Sequence, residues 1–463
     1  MKTAVTALLL VSCAAPQVLA DEPATRPAAD LKRGVIIPKV VTRHDPSQSY
    51  ALYLPSNYDP AKRWPILYGF SPGARGLSPV QLFHKAAETY GWIVVGSNNS
   101  RNGPWEPIGK AIAAMTKDAE ARFSIDERRR YATGFSGGAR VAFYLAATSK
   151  PPFAGVIPVG AGTSRNQKPL EKETAPAVFA MCGVQDFNHA ELLRLDDLLK
   201  RQGVAHRLLV FKGGHQWAPP GLCGAAVRYM ELLWRLDHDP DRVGGIVAEE
   251  EKMADALLAA GGQYMRGHER FVELAELVKD TDAHKRLAAR VAEIEASDTY
   301  KTEKAVFDEL ATVSRTVNAV ADPNERFEKS VKAYMDFLKK HPKTEAGQRL
   351  SIRLQSTARA TAMAAMQLVQ RKDYKRAEVY LKRARIFSPT NNNVAYNLAC
   401  VLARNGKKDE ALTTLAEAVA LGFTNLDHIM KDPDLESLRD DPAYKKIIED
   451  LERAVPKTVD PIT

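Results

Sequence analysis

Between Gly34 and Asp239 short apolar runs alternate with longer stretches in which apolar residues recur every three to four positions. Runs of four to eight residues rich in Val, Ile, Tyr, Trp and Phe, bounded by Gly, Pro, Asn or Ser, predict strands. Eight are found, at residues 34–41, 50–54, 64–69, 92–96, 131–135, 155–160, 177–182 and 207–211. Helical spacing covers 79–90, 110–121, 139–148, 190–202 and 225–236. Strands that take turns with helices predict an α/β unit, a mostly parallel eight-stranded sheet with helices on both faces.

Beyond Pro240 the strand signals stop, and stretches rich in Ala, Leu, Glu and Lys predict an all-α region. Breaks fall at Arg242 to Gly245 and at Ala321 to Asn324. A period of 34 residues then emerges: Ala365 and Ala399, Ala377 and Ala411, Ala384 and Ala418, Leu368 and Leu402, Leu381 and Leu415. Pro389 closes the first copy. Paired helices at this period, with small residues where helices cross, resemble the tetratricopeptide repeat, and residues 432–451 resemble the polar helix that caps such arrays. The resemblance implies a surface for a protein partner. The expected organisation is thus 34–240 for the α/β unit, 241–345 for a helical region and 346–455 for the repeats. As every candidate catalytic residue precedes Pro240, residues 34–240 are expected to fold and act without the rest.

The first twenty residues stand apart. Lys2 precedes an apolar run from Ala4 to Val11, followed by Pro16 and by Val18 and Ala20, the pattern of a secretory signal peptide cleaved before Asp21. Residues 21–33 would then be a linker, and the mature chain is expected to be secreted or periplasmic. The run Leu10, Val11, Ser12, Cys13 leaves open a second route, lipid anchoring through Cys13. No later stretch reaches the roughly 18 apolar residues of a membrane span. With 45% hydrophobic and 26% charged residues, the composition is that of a globular chain and excludes a disordered one. A net charge of +9 is spread among interleaved acidic and basic residues, so no nucleic-acid partner is expected. Removal of the signal leaves Cys182, Cys223 and Cys400, of which only Cys182 and Cys223 offer a bridge, a pairing left open.

Chemistry enters at Gly134, Phe135, Ser136, Gly137 and Gly138, a GxSxG motif that closes a strand and opens a helix. That context is the nucleophile elbow, a sharp turn that exposes a serine hydroxyl at the end of a sheet. A serine needs a base to take its proton. His215 follows the last strand in a glycine-bearing loop, whereas His84 and His206 lie within helix and strand patterns and His189 at a helix start. Asp186, three residues beyond the strand ending at Cys182, supplies the carboxylate to orient the imidazole; capping the next helix is its competing role. The order Ser136, Asp186, His215 is that of α/β-hydrolases. Backbone N–H groups of Gly137 and of Phe70, in the loop after the third strand, are the expected oxyanion donors.

With these residues, 34–240 resembles the small esterase and polyhydroxybutyrate-depolymerase-like branch of the α/β-hydrolase fold. It has Tyr68 and Gly69 where many relatives have His then Gly, a departure beside the second oxyanion donor. The resemblance implies a serine hydrolase cleaving carboxylic esters of small-molecule or polymeric substrates through an acyl-enzyme, with no cofactor. Two alternatives stand beside it: an envelope scaffold working through its repeats, and a serine peptidase of the same fold. Neither HExxH nor CxxC spacing occurs, so no metal is expected. Asn98 to Trp105 either line the substrate pocket or form a plain surface loop. The connection from Gly160 to Ala177 is short and polar, so no apolar lid is expected.

Overall fold

The computed structural model describes residues 31–163 and 175–454. The signal and anchor expectations, and most of the connection between Gly160 and Ala177, lie outside the described residues. The α/β unit contains β1 (Ile36–Val41), β2 (Ser49–Tyr53), β3 (Trp64–Phe70), α1 (Leu77–Tyr90), β4 (Ile93–Ser97), α2 (Trp105–Arg122), β5 (Ile125–Phe135), α3 (Gly137–Thr148), β6 (Gly155–Val159), β7 (Ala177–Gly183), α4 (His189–Gln202), β8 (His206–Phe211) and α5 (Pro220–His238). The eight strands form one sheet in the order β1-β2-β4-β3-β5-β6-β7-β8. β1 pairs antiparallel with β2, and β2 with β4; every other pairing is parallel. The expected α/β class with a mostly parallel sheet followed by an all-helical region is the one observed.

β5 departs most from the sequence pattern, starting at Ile125 where only residues 131–135 read as strand. Its extra residues, Asp126 to Arg130, are charged and conceal the strand because their partners come from far along the chain. Arg129 pairs with Glu231 of α5, while Arg130 reaches Glu120 of α2 at 3.3 Å and the carbonyl of Pro151.

Period-two alternation sorts the sheet's side chains into two cores. Val178, Ala180 and Cys182 of β7 pack in one cluster with α2, α3 and α4. Phe179 and Met181 pack in the other with α1 and α5, including Cys223. Cys182 and Cys223 thus belong to opposite faces, and both thiols are free and buried. No bridge joins them. Burial pushes both thiols well above the usual cysteine range, Cys223 to about 12, so neither is activated as a nucleophile.

The helical half follows a short 3-10 turn at Pro240–Arg242: α6 (Gly244–Ala259), α7 (Tyr264–Leu277), α8 (Ala283–Ala296), α9 (Asp298–Asn318), α10 (Pro323–Lys340), α11 (Glu345–Gln370), α12 (Tyr374–Phe387), α13 (Asn392–Arg404), α14 (Lys408–Ala420), α15 (Leu426–Lys431) and α16 (Pro442–Ala454). The 34-residue period falls on two consecutive helix pairs, α11 with α12 and α13 with α14. Ala365, Ala377, Ala384, Ala399, Ala411 and Ala418 are all buried in one core, since a methyl is all that closely packed helices admit.

Residue 240 is not a bare seam. Arg207 of β8, almost fully buried, donates from Nη1 to Glu250 of α6 at 2.7 Å and from Nε to Glu273 of α7 at 3.0 Å. Its guanidinium also lies over the ring of Tyr229 of α5, 4.5 Å from the centroid. Arg228 of α5 adds a 2.7 Å bond to Glu250. Farther along, Arg359 of α11 donates to the carbonyl of Val184, just after β7, at 2.7 Å. Residues 34–240 alone would lack both carboxylates that neutralise Arg207, so the first helices beyond Pro240 complete the α/β unit.

Candidate active site

The parallel strands run in one direction, so their C-terminal ends gather at one edge, where ligand sites of such sheets form. β5 delivers Ser136 there, β7 delivers Asp186 and β8 delivers His215. Ser136 stands between the end of β5 and the first residue of α3 with φ 55° and ψ −121°. A non-glycine residue with positive φ is strained, and such strain is held only where surrounding contacts fix it. Here the amide of Ser136 donates to the carbonyl of Val159 on β6 at 2.8 Å. Close packing of the helix start onto β3 fixes the other side: a Cβ on Gly138 would sit 2.4 Å from the carbonyl oxygen of Phe70. Only glycine lets α3 begin where it does.

Three side chains separated by 50 and 29 residues form one hydrogen-bonded line. Ser136 Oγ lies 2.9 Å from His215 Nε2. His215 Nδ1 lies 2.9 and 3.0 Å from the two oxygens of Asp186. Asp186 is fully buried, its Oδ1 also accepting from the amide of Asn188 at 2.8 Å, so the carboxylate cannot swing away from the ring. The helix-cap role considered for Asp186 is not the one observed: α4 begins after Asn188 with no side-chain cap, and the bond from the Asn188 amide is a local turn contact that leaves the carboxylate free to hold His215. His215 is partly exposed and clasped between aromatic rings, Phe187 at 4.0 Å and Phe135 at 4.6 Å between centroids. A base with Nδ1 held by a buried carboxylate and Nε2 at a serine hydroxyl can take that hydroxyl's proton.

Phe70, at the end of β3, is buried against the elbow, and Gly137 opens α3 directly after Ser136. Of residues 98–105, Asn98 and Asn99 bond to Pro38, Ser47 and Ser49 beside β1 and β2, and Asn102 is the one that meets the elbow. Asn102 is tied to the loop after β3 by its amide bond to the carbonyl of Pro72 at 2.9 Å. Its Oδ1 lies 1.8 Å from the point where a Cβ on Gly137 would stand, so its exposed carboxamide overhangs the elbow. The next aromatic residue, Trp105, is 45% exposed and meets Tyr144 of α3 edge-on at 4.3 Å.

Several residues at the site gave no signal in the sequence. Arg140 and Glu191 form a two-pronged pair at 2.8 and 2.9 Å that locks α3 to α4, and Glu191 also accepts from the amide of Gly162 after β6. Phe187 could be noticed only as the neighbour of Asp186. Arg359 lies 175 residues from the carbonyl it holds, beyond any local pattern. His189, read as an ordinary helix-start residue, is buried beside the acid loop, and neither ring nitrogen has a hydrogen-bond partner among the described residues. Burial first, and then the nearby Arg359 cation, push its imidazole down to about 4, so it is neutral at physiological pH. Among the described residues no group of three or more His, Cys, Asp or Glu is arranged to hold a metal ion.

No protein-family model matches the chain. A curated relative, a probable feruloyl esterase C from Aspergillus clavatus, is 26% identical over 167 residues, which cover 34% of this chain and 60% of the relative. The chain thus spans less than two thirds of that relative's length. Among solved structures, an S-formylglutathione hydrolase from Staphylococcus aureus aligns with 43% of this chain and 98% of its own, at 16% identity and a TM-score of 0.35. A feruloyl esterase module from Clostridium thermocellum, solved with sinapinate, aligns with 43% of this chain and 87% of its own, at 17% identity and a TM-score of 0.32.

Proposed function

We propose that this chain is an exported serine hydrolase that cleaves carboxylic esters through an acyl-enzyme. The observation that carries this reading is the continuous line from Ser136 Oγ through His215 to buried Asp186, with both links at 2.9 Å. In the first half-reaction Ser136 Oγ attacks the ester carbonyl while His215 Nε2 takes its proton. The tetrahedral oxyanion accepts hydrogen bonds from the backbone N–H groups of Gly137 and of Phe70. The intermediate collapses, the alcohol leaves with the proton from His215, and water then repeats the sequence on the acyl-enzyme. Asp186 holds the tautomer and stabilises the imidazolium at each stage.

The probable feruloyl esterase among the relatives supports ester hydrolysis as the reaction type. Exposed aromatic surface near the serine supports an acyl group with a flat ring: Phe187 is 37% exposed beside His215, and Trp105 and Tyr144 form an edge-on pair beyond Asn102. Offset and edge-on ring contacts add about 0.5–1.5 kcal/mol each beyond buried area. The export reading rests on residues 1–20, and the paired helices α11 to α14 serve, in this proposal, as tetratricopeptide-like repeats for a protein partner.

A fluorophosphonate probe tests the nucleophile: the parent protein labels, and Ser136→Ala does not. Labelling that persists in Ser136→Ala overturns the assignment. Methyl esters of hydroxycinnamic acids, compared with methyl esters of saturated acids of equal size, test the acyl preference; equal kcat/KM for the two sets removes the aromatic reading and leaves the esterase reading standing.

A further inference from the structure

A cavity of about 680 Å³ opens in the helical half between α9, α10, α11 and α12, remote in sequence from the triad. It lies within the range of about 300–1,000 Å³ of small-molecule sites. Phe307, Leu310, Phe327, Leu354 and Phe387 give it apolar walls. Its charges are all of one sign, since Arg326, Arg349, Arg353 and Arg383 line it and no Asp or Glu does.

How each arginine is committed decides what the cavity can hold. Arg349 is neutralised by Glu269 at 2.8 Å and Glu345 at 2.6 Å. The other three have no carboxylate partner among the described residues. Arg326 donates to the carbonyls of Val320 and Ala321 at 2.6 and 3.0 Å. Arg383 donates to Asn324 Oδ1 at 2.7 Å with its guanidinium 4.8 Å from the centre of the Phe327 ring. For Arg353 no side-chain hydrogen bond or ion pair is found among the described residues. Arg353 is exposed and Arg326 and Arg383 are half-buried at the cavity wall, and each retains N–H donors in a fork that matches a carboxylate. A ligand that uses both these donors and the apolar walls is anionic at one end and apolar along its body.

We propose that this cavity is a binding site for an organic monocarboxylate with an apolar body, its carboxylate held by Arg353 and Arg383 and its body lying against Phe307, Leu354 and Phe387. The site stands independently of the triad and of the ester reading.

Dodecanoate is the probe, titrated calorimetrically into the full-length chain, with dodecan-1-ol as the uncharged control. One equivalent of dodecanoate should bind, and dodecan-1-ol at least about 10-fold more weakly, because the alcohol cannot form charge-assisted bonds. Arg353→Gln with Arg383→Gln should weaken dodecanoate by at least about 10-fold, and Ala311→Trp, which fills the cavity from α9, should abolish its binding. All variants should keep the parent's melting temperature and its hydrolysis of a short ester, since none touches the triad. Absence of dodecanoate binding up to about 1 mM overturns the proposal, as a cavity built for an acidic peptide would give that result. Equal affinity for the alcohol, or an affinity unchanged in the arginine variant, overturns it as well.

Discussion

Replacing Glu250 with Gln removes one negative charge from the joint between the sheet and the helical half while keeping its shape. Arg207 is 4% exposed at its side chain and Glu250 1%, so the pair lies out of reach of water. Glu250 also accepts from Arg228 at 2.7 Å, Arg228 meets exposed Glu249 at 3.2 Å, and Glu273 is shared with Arg270 at 2.5 Å. The parent cluster thus sets three arginines against three acids, and the variant leaves three against two, with Glu249 exposed to water. Burial alone would raise the Glu250 carboxyl, yet Arg207 and Arg228 outweigh it and hold the group below its ordinary value. Breaking a buried pair by removing one partner costs about 3–5 kcal/mol. At roughly 2–4 °C per kcal/mol for a unit of this size, the melting temperature should fall by about 6–20 °C. Thermal unfolding followed by circular dichroism measures it, at two salt concentrations, because a buried pair is screened little by salt. Replacing both partners, Arg207→Met with Glu250→Leu, should recover part of the loss, since the buried Arg207 guanidinium goes with its acid while Arg228 keeps Glu249. A melting temperature within about 2 °C of the parent for Glu250→Gln would refute the view that this joint is integral to the fold.

Asp186→Asn should keep the far-ultraviolet spectrum and lower kcat on the order of 10⁴-fold by favouring the wrong imidazole tautomer; a near-parental rate would point to another carboxylate. Gly138→Ala drives a methyl to 2.4 Å from the Phe70 carbonyl, all backbone, so β3 and α3 must part; stability should drop by about 1–3 kcal/mol and activity should go with the displaced oxyanion donors, as denaturant unfolding and ester assays would show. His189 has a folded pKa of about 4 against an unfolded value of 6.5, so between these pH values the unfolded chain binds a proton that the folded chain refuses. Its contribution is intact above pH 6.5 and is lost on acidification, reaching about 3 kcal/mol near pH 4. Melting temperatures of the parent and of His189→Gln, compared across that window, should diverge in slope, and parallel slopes would refute the assignment.

The sequence by itself determined the class of the fold and the chain order of the site. Alternating short apolar runs and helical stripes placed all eight strands, because burial on both faces of a parallel sheet demands nearly continuous apolar residues. GxSxG placed Ser136 at a strand-to-helix turn, since only glycines tolerate the approach of α3 to β3, and the loops after β7 and β8 were the places from which Asp186 and His215 could reach it. The 34-residue alanine period found the close helix crossings of the C-terminal half. Tertiary structure decided the rest, because long-range partners leave no local trace. The charged start of β5 became strand through Glu231 and Glu120, and Cys182 and Cys223 were parted by the two faces of the sheet. Asn102, Phe187 and Arg359 came to the site only when loops and helices distant in sequence were packed together. A boundary at Pro240 fits the change in hydrophobic period, but where the period changes says nothing about which charges stay buried. Arg207 finds both of its carboxylates beyond that boundary, and a buried guanidinium requires them.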